Sequence, residues 1–199
     1  SLMELQERVI NQFHEHMGCA AYSAEHLPQD IAIAAEMLHQ CFIQEGKVLI
    51  CGNGANAANG HHFSAALLSR FKQERPSLPA FNLAANSTTM SAITRESSFQ
   101  DVFAKQITAL GQQGDILVVL SEQGNCGNLI QAIQAAHDRN LQVISITGQS
   151  GGNMATILDP DDVAIRIPSD NNTSILQLQL VTIHCLCDLI DFQLFGSNE

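Results

Sequence analysis

The stretch Lys47–Asn59, KVLICGNGANAAN, constrains the fold of this chain more than any other segment. Val48–Cys51 is a short apolar run, typical of a buried strand when turn residues bound it. The turn Gly52-Asn53-Gly54 follows, where glycine accepts a positive φ without a steric penalty. Alanine-rich helical sequence begins at Ala55. A strand, a glycine turn and a helix N-terminus favour an anion site, because unpaired N–H groups face the turn; a plain strand-to-helix connection is the alternative.

A second buried run, Asp115–Leu120, also ends in a loop rich in glycine and asparagine, Ser121–Gly127, and a helix follows. Strand and helix patterns alternate along the chain, which is typical of a doubly wound parallel α/β fold. We therefore predict a five-stranded, flavodoxin-like sheet in the order 2-1-3-4-5. In that order the first and third strands are neighbours whose crossovers leave in opposite directions, so their two loops are predicted to border one ligand cleft.

Helices are predicted on both sides of this alternating region. Two amphipathic helices precede the first strand, and one long helix, apolar nearly all round, ends the chain. We predict one domain over residues 1–199, with a helical hairpin for oligomerisation over 1–45 and an α/β core with the C-terminal helix over 46–199. These apolar faces favour a homotetramer. The remaining predicted elements are helices at 3–25, 28–44, 55–71, 88–94, 102–110, 128–138 and 174–194, and strands at 80–84, 142–146 and 163–167. A turn is predicted at 148–152, Gly196 is expected to end the last helix, and Asp188 and Asp191 are expected on a solvated face.

Charge limits the classes of partner. The net charge is −11 and the chain has nine lysines and arginines in total. Phosphate contacts of nucleic acids and anionic membranes need clustered basic residues, so direct binding to either is not expected. A protein partner or a small ligand fits this composition better.

The cysteines and the apolar runs indicate the compartment. Several of the six cysteines lie inside apolar runs, which favours buried free thiols in a reducing cytoplasm over disulfides. The N-terminal segment is polar and carries no signal-peptide core. The apolar runs fall short of the roughly 18 residues that span a membrane. We therefore expect a cytoplasmic protein.

Several motifs resemble the sugar isomerase (SIS) domain family, and within it the phosphoheptose isomerase branch. The resemblance covers nearly the whole chain and implies the flavodoxin-like fold predicted above. Its residues are CGNGAN at 51–56, HHFSAALLSRF at 61–71, ERPSLPA at 74–80, GDILVVLSEQGN at 114–125 and TGQSGG at 147–152.

The resemblance implies a catalytic site that this chain keeps in part. In the isomerases a Glu one turn beyond a His acts with a second His on the C-terminal helix, and these groups with a Gln also help to hold zinc. The two histidines match His62 and His184, but the Glu position is Ala66 and the Gln position is Leu176. Alanine cannot transfer a proton, and zinc needs three or four ligands. We therefore expect no catalysis, with His62 and His184 as the groups if the site is active, and no metal or other cofactor, with the same two histidines as weak zinc candidates.

The predicted ligand loops also depart from the family pattern. The family's hydroxyl-rich loop after the third strand is reduced to Ser121, and Glu122 brings a carboxylate to where an anion would sit. In the first loop Asn56 stands where the family usually has Ser. Arg70 is a possible phosphate contact or a solvated charge. The full predicted ligand set is Gly52, Asn53, Gly54, Asn56, Arg70, Ser121, Gly124 and Asn125.

Three functions compete at this stage. The endings CLCDLID (185–191) and LF (194–195) resemble SIS adaptors that bind the replication initiator DnaA. We therefore expect a non-catalytic adaptor that promotes DnaA assembly at the origin, with Leu194 at a subunit seam and Phe195 on the partner. The alternatives are a phosphoheptose isomerase, acting on sedoheptulose 7-phosphate, and a protein that binds a phosphosugar without chemistry.

Overall fold

A computed structural model describes residues 1–196 and shows an α/β fold. One sheet lies between helices, two long helices precede it, and a long helix ends the chain. The elements are α1 (Leu2–His26), α2 (Pro28–Ile43), β1 (Val48–Gly52), α3 (Ala55–Leu68), β2 (Ala80–Asn82), α4 (Ser87–Glu96), a 3₁₀ turn (Phe99–Asp101), α5 (Ala104–Leu110), β3 (Ile116–Leu120), α6 (Gly127–Asp138), β4 (Gln142–Thr147), α7 (Gly152–Ala155), β5 (Val163–Arg166) and α8 (Asn172–Phe195).

The sheet has the predicted architecture. Over the described residues, its five strands are all parallel and run in the order β2-β1-β3-β4-β5. β1 and β3 are buried along their whole length and pair from Val48 opposite Ile116 to Gly52 opposite Leu120. Continuous apolar runs produce such strands because helices cover both faces of a parallel sheet. Their carboxyl ends lie side by side, which brings the two glycine loops together.

Two apolar cores lie on opposite faces of the sheet. Side chains alternate across a strand, so Val48 and Ile50 join one core while Leu49 and Cys51 join the other. The first core packs β1 against α2, α3 and α8, and the second packs the sheet against α5 and α6. The candidate chemistry described below lies among the helices of the first core.

The N-terminal hairpin leaves one apolar face uncovered. Pro28 begins α2, since a proline at the first helical position loses no hydrogen bond. α1 is anchored to α8 by a hydrogen bond of 3.0 Å between His16 Nδ1 and Gln177 Oε1. An apolar groove of about 450 Å³ runs between these helices. The uncovered stripe on α1 consists of Leu5, Val9, Phe13 and Met17, each more than half exposed.

Two predicted elements differ in the structure. The helix predicted over 102–110 begins two residues later, at Ala104, because the chain first makes a 3₁₀ turn at Phe99–Asp101. Ser98 starts that turn by accepting a hydrogen bond from the Gln100 backbone, a local competition that periodicity does not register. The predicted turn at 148–152 leads into the short helix α7. Gly196 ends α8 with φ 79°, as predicted.

The last helix, α8, is long and apolar enough to cross a membrane by length and composition, although the uninterrupted apolar runs of the sequence are too short to do so. Over Asn172–Phe195 its best window has a mean hydropathy of 1.5, but half of that window is buried against the rest of the chain. Ile175, Ile183 and Ile190 contribute to the first core. A core helix of a folded domain passes the same test, so length and composition alone are weak support for a membrane span.

A buried ion pair joins α8 to the end of α3 and corrects one prediction. Asp191 was expected on a solvated face, yet it is buried and accepts a 2.8 Å hydrogen bond from Arg75 Nε. The other nitrogens of Arg75 donate to the carbonyls of Ala66, Leu67 and Ser69. One guanidinium therefore satisfies the last carbonyls of α3 and the carboxylate of α8.

Candidate functional site

The two glycine loops meet at the carboxyl ends of β1 and β3, as predicted. The side-chain amides of Asn53 and Asn128 exchange two hydrogen bonds of 2.9 Å. Asn56 Nδ2, in the first turn of α3, donates to Glu122 Oε2 at 3.0 Å. Gly54 precedes α3 with φ 58°, a conformation that glycine adopts easily. The topological switch point is the place where the crossovers after β1 and β3 leave the sheet in opposite directions. Seven of the predicted ligand residues lie around it: Gly52, Asn53, Gly54, Asn56, Ser121, Gly124 and Asn125.

Most polar groups of these loops are already bonded within the protein. The buried Ser121 hydroxyl accepts the Gly124 N–H at 2.9 Å, and the Asn125 side chain accepts the Asn153 N–H at 2.9 Å. The Gly124 carbonyl accepts the Met154 N–H. The second loop is therefore fastened to the start of α7, and its serine hydroxyl serves that connection.

A line of hydrogen-bonded amides leads from the switch point to α8. Asn56 Oδ1 accepts from Gln179 Nε2 at 2.9 Å, and Gln179 Oε1 accepts from Asn59 Nδ2 at 3.1 Å. Asn59 also donates to the Leu176 carbonyl. Gln179 is fully buried, and the bonds at both ends of its amide explain how an apolar interior accepts it. Asn59 and Gln179 were not predicted, although a glutamine among the apolar residues of α8 is a signal for such a bond.

His62 and His184 contact each other one to two turns further along α3 and α8. Their Nε2 atoms are 2.9 Å apart, and their rings meet edge to face with centroids 5.1 Å apart. The ring centroid of Phe71 lies 5.4 Å from the ring centroid of His184. Burial lowers the pKa of His184, and the nearby His62 and Lys72 lower it further. A hydrogen bond between two imidazole nitrogens needs one donor and one acceptor, so in this contact one of the two Nε2 atoms presents a lone pair to the other.

These histidines open into a cavity of about 390 Å³ between α3 and α8. Ala66 lies in its wall, one turn beyond His62, and Arg70 lies one turn further. Arg70 is about half exposed and forms a 2.7 Å ion pair with Glu74. The predicted ligand set therefore divides into two places, because Arg70 belongs to this cavity and not to the loops at the switch point. We call this space, lined by His62, Ala66, Arg70, Phe71 and His184, the histidine cavity.

A family model described as the SIS domain matches residues 14–148, more than half of the chain. The chain belongs to the SIS domain family. A phosphoheptose isomerase of Chromohalobacter salexigens is 48% identical over 99% of this chain and 100% of that protein, and one of Shewanella halifaxensis is 46% identical over 97% and 98%. A solved phosphoheptose isomerase structure from Francisella tularensis has a TM-score of 0.91 at 38% identity, covering 94% of this chain and 97% of that one. One from Neisseria gonorrhoeae has a TM-score of 0.89 at 37% identity, covering 94% and 98%.

These likenesses correct the main functional prediction. The expectation of a non-catalytic adaptor for DnaA is wrong, since full-length relatives at 46–48% identity and close structural neighbours at 37–38% carry the name phosphoheptose isomerase. The adaptor prediction depended on Ala66, Leu176 and Glu122, which depart from the isomerase pattern, and on short endings near the C-terminus, whereas the isomerase likeness extends over nearly the whole chain. The alternative of a phosphosugar function fits these relatives better.

The two residues assigned to a partner surface differ in environment. Leu194 is half-buried and packs against the first core of its own SIS domain. Phe195 is 45% exposed beside the end of α8. Nothing in the described residues connects either side chain to a DnaA-type partner.

The SIS histidines of this chain do not fit a zinc ion. His62 and His184 offer two nitrogens, but the facing position on α3 is Ala66, and Leu176 on α8 contributes only its carbonyl, which Asn59 occupies. Zinc in proteins takes three or four ligands. Among residues 1–196, the three-residue group with metal-ligand spacing is His137, Asp159 and Asp162, at the other edge of the sheet. There Asp162 already accepts the backbone N–H groups of Val143 and Asp159.

Proposed function

We propose that this SIS protein is a phosphosugar isomerase of the phosphoheptose class, which interconverts the ketose sedoheptulose 7-phosphate and the corresponding aldose. The observation that supports this most directly is the contact of His62 and His184 at the mouth of a cavity large enough for a sugar chain. The similarity to proteins named phosphoheptose isomerase over the full length supports the substrate class.

The histidine pair supplies the groups that the reaction requires. Conversion of a ketose to an aldose removes a proton from the hydroxyl-bearing carbon and returns a proton to the carbonyl carbon beside it. The oxygen on the first carbon loses its proton in the same step, and the oxygen on the second carbon gains one. His184, whose pKa is lowered, is the neutral base of the pair, and His62 is positioned to hold a proton near the sugar oxygens. A substrate in the histidine cavity would replace the hydrogen bond between the two imidazoles.

A second candidate, binding of a phosphosugar without turnover, is favoured by one residue. Ala66 lies in the cavity wall one turn beyond His62, at the position where the resemblance implies a catalytic carboxylate. A positioned acid or base contributes about 10²–10⁴-fold to a rate, so its loss alone takes a large part of the isomerase activity away. Both candidates share the same ligand and the same cavity.

A coupled assay with sedoheptulose 7-phosphate, joined to calorimetry with the same sugar, separates the candidates. A kcat of about 1 s⁻¹ or more, which is an ordinary enzyme rate, supports the isomerase. His184→Ala should then lower kcat/KM by about 10²–10⁴-fold, and His137→Ala, at the distant sheet edge, serves as the matched control. Binding without turnover supports the second candidate, and neither binding nor turnover overturns both.

We further propose that the protein acts without zinc in the cytoplasm. Two histidine nitrogens leave the coordination of a zinc ion incomplete, so purified protein should carry much less than one zinc per chain. Elemental analysis measures this directly. A stoichiometric zinc content that disappears in His184→Ala would contradict the proposal.

We also propose that the protein is a homotetramer. The exposed apolar stripe of α1 and the groove beside α8 would be covered by other subunits, which is the usual fate of large apolar surfaces. Light scattering at micromolar concentration should give four times the chain mass. Phe13→Glu, on the exposed stripe, should lower that mass, and a monomer mass for the unchanged chain would contradict the proposal.

A further inference from the structure

The amide donors of the switch point converge on the carboxylate of Glu122. Its Oε2 accepts the Asn56 side-chain N–H at 3.0 Å, and the Asn56 oxygen accepts in turn from Gln179 at 2.9 Å. Asn56 and Gln179 are buried, so their amides cannot turn towards solvent. Aligned amide N–H groups that end on one oxygen favour a negative charge there. The proton transfer proposed above makes no use of this carboxylate.

The Glu122 side chain can leave Asn56 while its loop keeps its shape. The backbone is held in place, because the Glu122 carbonyl accepts the Gly148 N–H at 2.9 Å. The side chain is half-buried, and its contact with Asn56 is the one hydrogen bond that it makes within residues 1–196. Rotation about its own bonds therefore moves the carboxylate away with the loss of that single hydrogen bond.

The switch point lies within reach of a sugar at the histidine pair. His62 follows Asn56 by six residues on α3, which is about 9 Å along the helix axis. An extended seven-carbon chain with a terminal phosphate is of comparable length. A sugar whose reacting carbons lie at His62 and His184, and whose chain runs towards the start of α3, therefore brings its phosphate to Asn56.

The opposite direction, along α8, is unsuitable for a phosphate. It leads to a second cavity, of about 300 Å³, near the end of that helix. The wall of this cavity carries two carboxylates, Asp188 and Asp191, and one ammonium, Lys72. One oxygen of Asp191 is buried there and lacks a hydrogen-bond partner within the described residues. A phosphate would be repelled by the two carboxylates, so the chain of the substrate is expected to run towards the switch point instead.

We propose that Glu122 is a built-in competitor for the substrate phosphate, which binds at the switch point only by displacing this carboxylate from Asn56. The inference depends on the proposed function for the choice of a phosphate-bearing sugar. The aligned amides favour one negative charge and not two, because two anions at close range repel each other. A phosphate carries up to two charges and more acceptor oxygens than a carboxylate, so it can win this exchange. A sugar without phosphate cannot, and Glu122 thereby selects against it.

The test measures the affinity for inorganic phosphate by calorimetry. Glu122→Gln keeps the shape of the side chain and an oxygen for the Asn56 N–H, but it removes the charge. Phosphate should therefore bind Glu122→Gln at least about tenfold more tightly than the unchanged protein. Glu36→Gln, an exposed position of α2, makes the same change in net charge and should leave the affinity as it is. Equal affinities in Glu122→Gln and Glu36→Gln, or no binding by either, would overturn the proposal.

A second comparison locates the phosphate. Arg70 lies in the histidine cavity and is the other candidate contact for an anion. The gain from Glu122→Gln should persist when Arg70→Met is present in both proteins that are compared. Loss of the gain in that background would place the phosphate at Arg70 and would overturn the proposal.

A turnover assay distinguishes failure of this proposal from failure of the proposed function. If the protein isomerises sedoheptulose 7-phosphate, Glu122→Gln should lower KM about tenfold and change kcat little, whereas His184→Ala should act mainly on kcat. Tighter phosphate binding by Glu122→Gln in a protein without turnover would refute the isomerase and retain the competitor. Turnover whose KM is the same in Glu122→Gln and Glu36→Gln would retain the isomerase and overturn the competitor.

Discussion

The loops at the switch point and the cavities between α3 and α8 differ in whether their polar groups are already hydrogen-bonded within the protein. In the loops, Ser121, Asn125 and Asn53 each bond to another part of the same chain. In the cavities, His62 and His184 bond to each other at an open mouth, and Asp191 keeps one oxygen without a partner among the described residues. A glycine-rich loop with polar side chains therefore predicts where a cleft forms, but not whether its groups remain available to a ligand.

Among the changes that test this comparison, removing the Arg75 guanidinium, which connects α3 to α8, should have the largest effect on the free energy of unfolding. Arg75→Met leaves Asp191 as a buried unpaired charge and frees three carbonyls at the end of α3 and just after it, so the free energy of unfolding should fall by about 3–5 kcal/mol. Urea denaturation measures the change. Arg70→Met, which removes an exposed pair with Glu74, should change it by about 0.5 kcal/mol or less.

The double variant Arg75→Met/Asp191→Leu sharpens the same test. It removes both charges, so a large part of the lost stability should return. If the double variant were no more stable than Arg75→Met alone, the cost would lie in the uncapped carbonyls of α3 and not in the buried carboxylate.

Adding one methyl group to the loop after β3, at Gly124, should have the next largest effect on the free energy of unfolding. A Cβ on Gly124 would lie 2.2 Å from the Gly151 carbonyl oxygen, and the residue has φ 73°. Overpacking and backbone strain together predict that Gly124→Ala lowers the free energy of unfolding by about 3 kcal/mol. Gly18→Ala, in the exposed part of α1 with open space around it, should instead stabilise the protein by about 0.5–1 kcal/mol. Equal melting curves for the two variants would mean that the loops are not tightly joined.

A smaller effect is expected from removing the loop hydroxyl. Ser121→Ala leaves the Gly124 N–H without its acceptor, which should cost about 1–2 kcal/mol in denaturant unfolding. Ser91→Ala, on the exposed face of α4, is the control and should be near neutral. A Ser121→Ala variant that keeps its stability but loses affinity for sedoheptulose 7-phosphate would reverse our assignment of this hydroxyl to structure.

The smallest effect concerns pH. The pKa of His184 is below its ordinary value of 6.5 because burial disfavours the charged ring. The unfolded chain therefore takes up this proton at a higher pH than the folded chain does. The stability that His184 contributes is fully present above about pH 6.5 and is lost as pH falls through the lower folded-state pKa.

Unfolding measured between pH 5 and 8, a window that brackets the ordinary pKa of about 6.5, tests this sign. His184→Gln should show a flatter loss of stability towards acid than the unchanged protein, because the other histidines are common to both. A steeper acid loss in the variant would mean that the folded state favours the protonated ring.

The sequence was sufficient for the sheet because its signals are local. The apolar runs at Val48–Cys51 and Asp115–Leu120, each followed by a glycine loop, determine which strands are central and where the cleft lies. Asp191 was assigned to a solvated face because its partner, Arg75, is 116 residues away in the chain. The internal bonds of Ser121 and Asn125 likewise depend on how loops pack, which residue types do not specify. Function was mispredicted for a related reason, since three departures from the isomerase pattern, Ala66, Leu176 and Glu122, and a few terminal residues outweighed similarity along the whole chain.

The line of amides between the switch point and α8 acts as a small electrical dipole made of side chains. Glu122 can only accept, so Asn56 turns its N–H towards it, Gln179 turns its N–H towards Asn56, and Asn59 does the same towards Gln179. At the far end the Leu176 carbonyl also only accepts, which imposes the same sense. Three aligned amides thus direct their positive ends at one carboxylate. The same alignment would stabilise any anion that took the place of the Glu122 carboxylate, so the line of amides favours one negative charge at the switch point whichever group carries it.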